Sequence, residues 1–95
     1  MNKYEFAVIL NGKLEDEAKA EAIEKVKELI ERFGGTIIKV DDWGKKRLAY
    51  EIQKIREGFY YFINFESESS APIEIERRVR IMEPVIRFLN IRLDA

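Results

Sequence analysis

Gly44-Lys45-Lys46-Arg47-Leu48-Ala49-Tyr50-Glu51-Ile52, followed at Gly58 by Phe59-Tyr60-Tyr61-Phe62-Ile63-Asn64-Phe65-Glu66, decides how this chain folds. In the first segment Lys46, Leu48, Tyr50 and Ile52 alternate with Lys45, Arg47, Ala49 and Glu51. In the second, Phe59, Tyr61, Ile63 and Phe65 alternate with Tyr60, Phe62 and Asn64. A period of two is the mark of a strand, because a helix groups residues three and four apart. Lys54 to Gly58 between the two segments is charged and ends on glycine, so it reads as a hairpin turn. Upstream, Thr36 to Val40 is β-branched and apolar and runs into the first segment, with Gly44 marking a bulge or bend inside one long strand.

Working outward from this hairpin, Tyr4, Phe6, Val8 and Leu10 alternate with Lys3, Glu5, Ala7 and Ile9 until Asn11-Gly12 breaks the pattern. From Leu14 to Phe33 the period changes, and Ala18, Ala22, Val26, Leu29, Ile30 and Phe33 form one helical stripe. Glu15, Asp16 and Glu17 suit the positive end of that helix, Arg32 suits the other end, and Gly34-Gly35 stops it. After Phe59 to Glu66, Ser67 to Ala71 reads as a polar loop with Ser70 as a candidate cap and Pro72 in the first turn of a second helix. Ile75, Val79 and Met82 make its apolar stripe, and Pro84 ends it. A last strand spans Ile86 to Leu93, with Leu89, Ile91 and Leu93 as its apolar side and Asn90 as an unusual residue for a strand. Strand, helix, strand, strand, helix, strand predicts an α+β, ferredoxin-like βαββαβ fold: a four-stranded antiparallel sheet with both helices on one face. In that topology the first and third strands are central, and the second and fourth are edges.

The 95 residues suit a single domain over 1–95. With no cysteine and no histidine, the chain has no disulfide, no thiol metal site and no side chain that ordinarily titrates near neutrality. No apolar run approaches the ~20 residues that span a bilayer. The opening Met1-Asn2-Lys3-Tyr4-Glu5 is no signal peptide, so a cytoplasmic location is expected. The net charge is −1, but its distribution is uneven. Lys45, Lys46, Arg47, Lys54 and Arg56 cluster against Glu51, and Arg77, Arg78, Arg80, Arg87 and Arg92 against Glu76 and Glu83. Two basic patches fit a polyanionic partner, and they also fit a highly charged, thermally robust surface.

Two readings of the opening stretch follow from the fold. On an edge strand, Asp41, Asp42, Lys46 and Arg47 would deter strand addition by another molecule. On the central strand that follows, Tyr60 and Phe62 point to the uncovered side of the sheet, where aromatics near an arginine rim make a docking platform or pack on Lys and Arg stems. An RNA-recognition motif is excluded. In Arg56-Glu57-Gly58-Phe59-Tyr60-Tyr61-Phe62-Ile63, Glu57 separates cation from glycine, Tyr60 fills a slot for a small residue, and the first strand offers no second stacking aromatic. Acylphosphatase-type chemistry needs a glycine-rich cradle with an arginine, and Asn11-Gly12-Lys13-Leu14 supplies neither. No nucleophile–base pair assembles, so no enzyme, catalytic residue, cofactor, metal or small-molecule substrate is expected.

Lys3-Tyr4-Glu5, the run Trp43 to Ile52, Gly58-Phe59-Tyr60 and the segment from Arg80-Ile81 to Ile86-Arg87 together resemble the bacterial small-subunit ribosomal protein S6 family, in order and over essentially the whole chain. Arg47-Leu48-Ala49-Tyr50, after a glycine and two lysines, is the most specific element. The resemblance implies a non-catalytic ribosomal protein. It would bind the central domain of small-subunit rRNA as a heterodimer with ribosomal protein S18, in the platform. It further implies partner contacts at Asp41, Asp42, Lys46, Arg47, Leu48, Tyr50, Tyr60 and Phe62, and RNA contacts at Lys3, Arg80, Arg87 and Arg92. Some members carry a long acidic tail that receives glutamates. This chain stops at Asp94-Ala95, so no such modification is expected. The alternative is a homodimeric or ligand-sensing module on the same fold, joined by strand addition.

Overall fold

The computed structural model describes residues 1–52 and 54–93, so the chain end at Asp94-Ala95 lies outside the described residues. The elements are β1 (Asn2–Asn11), α1 (Asp16–Arg32), β2 (Thr36–Ile52), β3 (Ile55–Ser67), α2 (Ala71–Arg80) and β4 (Val85–Arg92). The strands lie in the order β2-β3-β1-β4, and every neighbouring pair is antiparallel. This is the ferredoxin-like α+β arrangement, with β2 and β4 at the margins.

The alternation in β1 and β3 sorts their side chains as expected. Phe6, Val8 and Leu10 from β1, with Ile63 and Phe65 from β3, are fully buried in one cluster with Val26 and Ile30 of α1 and Ile75 and Val79 of α2. Tyr4 stacks on Phe65 with ring centroids 5.5 Å apart. Along α1 the buried stripe is Ala22, Ile23, Val26 and Ile30; Ile23 takes a core place, and Ala18 is exposed. The helix ends through Gly34 at φ +88, whose N–H donates to Glu31 O. A left-handed turn of this kind suits glycine because it has no Cβ.

Four boundaries or faces differ from the sequence reading. β3 begins at Ile55, so Lys54 to Gly58 is mostly strand; the chain turns at Lys54, which adopts φ +65. Ser70 occupies the cap position of α2 without a side-chain cap bond, and Ala71 N–H instead donates to Glu68 O at 3.1 Å. α2 stops at Arg80, ahead of Pro84, and a turn closed by Val85 N–H to Met82 O leads into β4. In β4, Phe88 and Asn90 lie opposite Val8 and Phe6 and so share the helix-covered side. Leu89 and Ile91 lie opposite Ala7 and Glu5, on the uncovered side. Asn90 therefore sits where an apolar residue was expected, with Nδ2 and Oδ1 both buried and unbonded.

β2 is one strand across Gly44, bent by register shifts at Ile37/Lys39, Asp42/Gly44 and Arg47/Ile52. At the second shift Gly44 has φ +74 and its N–H donates to Asp42 Oδ1 at 2.8 Å. A left-handed glycine beside an extra residue is the geometry of a bulge that sharpens strand twist. The extra residue is Trp43.

Candidate docking face of the sheet

Cross-strand partners share a face, so the register lays out the uncovered side row by row. One row reads Asp41, Phe62, Ala7, Leu89; the next reads Gly44, Tyr60, Ile9, Arg87; Lys46 and Gly58 follow. The bulge delivers Trp43 onto this side, where its ring lies 4.8 Å from that of Phe62. Trp43 and Leu89 are each 58% exposed and Ile91 is 44% exposed. Between them a shallow recess of about 240 Å³ is lined by Ala7, Ile9, Tyr60, Phe62, Arg87 and Leu89. Exposed apolar surface gathered at one place on a small protein marks a site of interaction.

The end of the β2–β3 hairpin comes back to this face. Arg87 Nη1 on β4 donates to Tyr50 Oη on β2 at 3.0 Å, although the two residues are far apart in sequence. A residue expected to meet RNA and one expected to meet a protein partner are thus directly bonded. The other expected partner residues divide. Asp41, Lys46, Tyr60 and Phe62 belong to the uncovered rows. Asp42 lies opposite Tyr61 and Arg47 opposite Glu57, on the other side of the sheet, and Asp42 is also engaged by the bulge. Leu48 is buried at 8% exposure, outside the main core cluster, so its side chain supports the hairpin and offers little surface.

The expected RNA residues fall at three places. Lys3 and Arg92 sit at one end of β1, where Leu93 N–H donates to Lys3 O and Arg92 Nη2 to Asn2 Oδ1. Arg87 lies opposite Ile9, six residues further along β1, which is about 20 Å away at strand rise. Arg80 reaches Phe88 with its guanidinium 5.9 Å from the ring centroid. The sequence reading did not name Trp43, Leu89 or Ile91 as contact residues. Trp43, next to the glycine of an inferred bulge, was the available signal for the first; the other two were assigned inward.

On the helix-covered side, Lys19 and Lys45 flank the Phe59 ring at 4.6 and 5.3 Å, closing the core margin with their stems. Burial pushes the Tyr61 phenol above its ordinary value, and the nearby Asp42 carboxylate adds to the shift. Among the described residues, no group of carboxylates is placed to hold a metal ion, and no helix is long and apolar enough to cross a membrane.

Fold and surface together define a ferredoxin-like α+β protein with an aromatic and arginine-bearing sheet face. The family model for ribosomal protein S6 matches residues 3–92. A small ribosomal subunit protein bS6 from Heliobacterium modesticaldum is 43% identical over 94 residues, covering 99% of this chain and 98% of that protein. Its counterpart from Clostridium novyi is 47% identical over 89 residues, covering 94% of each. The crystal structure of 30S ribosomal protein S6 from Thermotoga maritima superimposes with a TM-score of 0.92 at 33% identity, covering 97% of this chain and 87% of that one. The chain belongs to the ribosomal protein S6 family and is a non-enzymatic structural constituent of the small subunit of the cytoplasmic ribosome.

Proposed function

We propose that the uncovered sheet face docks ribosomal protein S18 and that the resulting pair holds the central domain of small-subunit rRNA in the platform. The observation that carries this reading is the apolar surface formed by Trp43, Phe62, Leu89 and Ile91, bordered by Arg87 and its Tyr50 partner. Asp41, Lys46, Tyr50, Tyr60 and Phe62 form the protein-facing group, with Asp42 and Arg47 at its margin. Lys3, Arg80, Arg87 and Arg92 face phosphate. Arginine forks hold phosphate oxygens in register and carry little sequence information. Selectivity then comes from RNA shape and from the surface that the second protein completes.

A net charge of −1 gives the isolated chain little long-range attraction for a polyanion. Tight RNA binding is therefore a property of the pair. The test is titration of a central-domain rRNA transcript with this chain alone and with S18 present, over a range of salt concentrations. Binding that is weak alone, tight with S18 and steeply lowered by salt is expected. Tight, salt-insensitive binding by the chain alone would overturn the reading.

A further inference from the structure

The cations at the end of the β2–β3 hairpin have no part in the function proposed above. β1 pairs with β3 only as far as Asn11 and Gly58, so the segment from Ile55 to Glu57, and its β2 partner beyond Lys46, project past the end of β1. The β1–α1 loop supports this projection. Gly12 N–H donates to Glu57 O at 3.0 Å, and a Cβ on Gly12 would collide with that oxygen, so the two backbones touch. The contact sets Lys13, whose N–H is bonded to Asn11 Oδ1, beside Lys54 and Arg56 around a recess of about 230 Å³. All three cations are exposed. Glu51 already bonds Arg56 at 3.3 Å, which leaves Glu57 as the one other acid among the described residues that line the recess or its rim.

The apex adds a second observation. Lys54 has φ +65, a left-handed conformation that costs a non-glycine residue about 1–2 kcal/mol. Asparagine or glycine would hold the same turn more cheaply, yet the position carries a long cation. Strained backbone that persists at one exposed point is a pointer to function. The surface is also continuous with the site already described, because Tyr50 on the same hairpin carries the bond to Arg87.

We infer that Lys13, Lys54 and Arg56 form a second phosphate-binding surface that holds the RNA backbone beyond Arg87. This rests on the RNA-binding function proposed above and extends it to the tip of the hairpin, whose cations that function leaves unused. The contacts are to phosphate, because the side chains are flexible cations and no aromatic is among the described residues that line the recess between them.

The double variant Lys13→Gln with Lys54→Gly removes two cations, and glycine suits the apex backbone, so the turn is retained. Its binding to a central-domain rRNA transcript, with S18 present, is measured against salt, alongside Arg87→Ala. Loss of two phosphate contacts lowers the steepness of log K against log salt by about 1.4 to 1.8. That result supports the tip surface, whatever Arg87→Ala does. An unchanged slope with a lowered one for Arg87→Ala overturns the tip surface and leaves the RNA-binding function standing; unchanged slopes for both overturn the two together. Weakened S18 docking at an unchanged slope also overturns the tip surface and assigns these cations to the protein. Because the chain has no cysteine, Glu57→Cys can carry a tethered iron–EDTA with all the cations in place. Cleavage of the transcript above that from Ile73→Cys on α2 supports the tip surface, and its absence contradicts it.

Discussion

Replacing Trp43 by alanine separates a docking residue from a supporting one. In the free protein Trp43 meets Phe62 at 4.8 Å and is 58% exposed. An aromatic pair of this kind contributes about 0.5–1.5 kcal/mol beyond its area, and the covered part of the ring adds a share of an upper bound of about 2.6 kcal/mol, so the fold should lose about 1–3 kcal/mol. A tryptophan side chain offers up to ~250 Å², of which roughly 140 Å² remains for a partner. At about 25 cal/mol per Å² this sets an upper bound near 3.5 kcal/mol. Alanine keeps part of the contact, and interface area converts to affinity incompletely. A loss of about 2 kcal/mol is expected, which is close to thirtyfold in Kd. Calorimetric titration with S18 reads the affinity, and urea unfolding of the free chain reads the stability. Affinity unchanged within about twofold would refute the reasoning. So would a stability loss above about 3 kcal/mol, the range of a core truncation.

Three further outcomes follow from the same coordinates. Asn90→Leu removes two buried, unbonded polar atoms and should raise stability by about 1 kcal/mol or more, read as a higher urea midpoint at constant m; a lower midpoint would mean that Asn90 is satisfied in solution. Tyr61 keeps its proton in the fold at a pH where the unfolded chain, with an ordinary value of 10.0, releases it, so stability should fall as pH rises above about 10. Tyr61→Phe should lessen that fall, by at most about 1.4 kcal/mol per pH unit, and an identical alkaline profile would contradict the assignment. Gly12→Ala drives a Cβ into the Glu57 carbonyl, so it should cost about 1–3 kcal/mol in urea unfolding and speed amide exchange in the hairpin; a neutral effect would show that the loop does not hold the hairpin.

The sheet was legible because β1 and β3 alternate cleanly and their apolar rows face one cluster of helix residues. The long β2 was legible across Gly44 because the alternation resumes on the far side of the bulge. The start of β3 was obscured by its composition: Arg56, Glu57 and Gly58 look like turn residues, and only pairing with β2 and β1 makes them strand. The faces of β4 were inverted for a different reason. Leu89 and Ile91 are the apolar set, and periodicity assigns an apolar set inward; the register with β1 puts them outward and leaves Phe88 and Asn90 inside. At the site, Tyr60 and Phe62 could be read from their alternation with core residues. The bond between Arg87 and Tyr50 could not, because it depends on how far the hairpin curls back over the sheet, and no local pattern encodes that.

Amide exchange of the labelled chain, with and without S18, tests most directly which side of the molecule is used. Docking on the sheet should slow exchange at Trp43, Tyr60, Phe62 and Leu89 and leave Lys25, Ile73 and Ile81 on the helical side unchanged. Protection confined to α1 and α2, with the sheet residues exchanging as in the free protein, would contradict it.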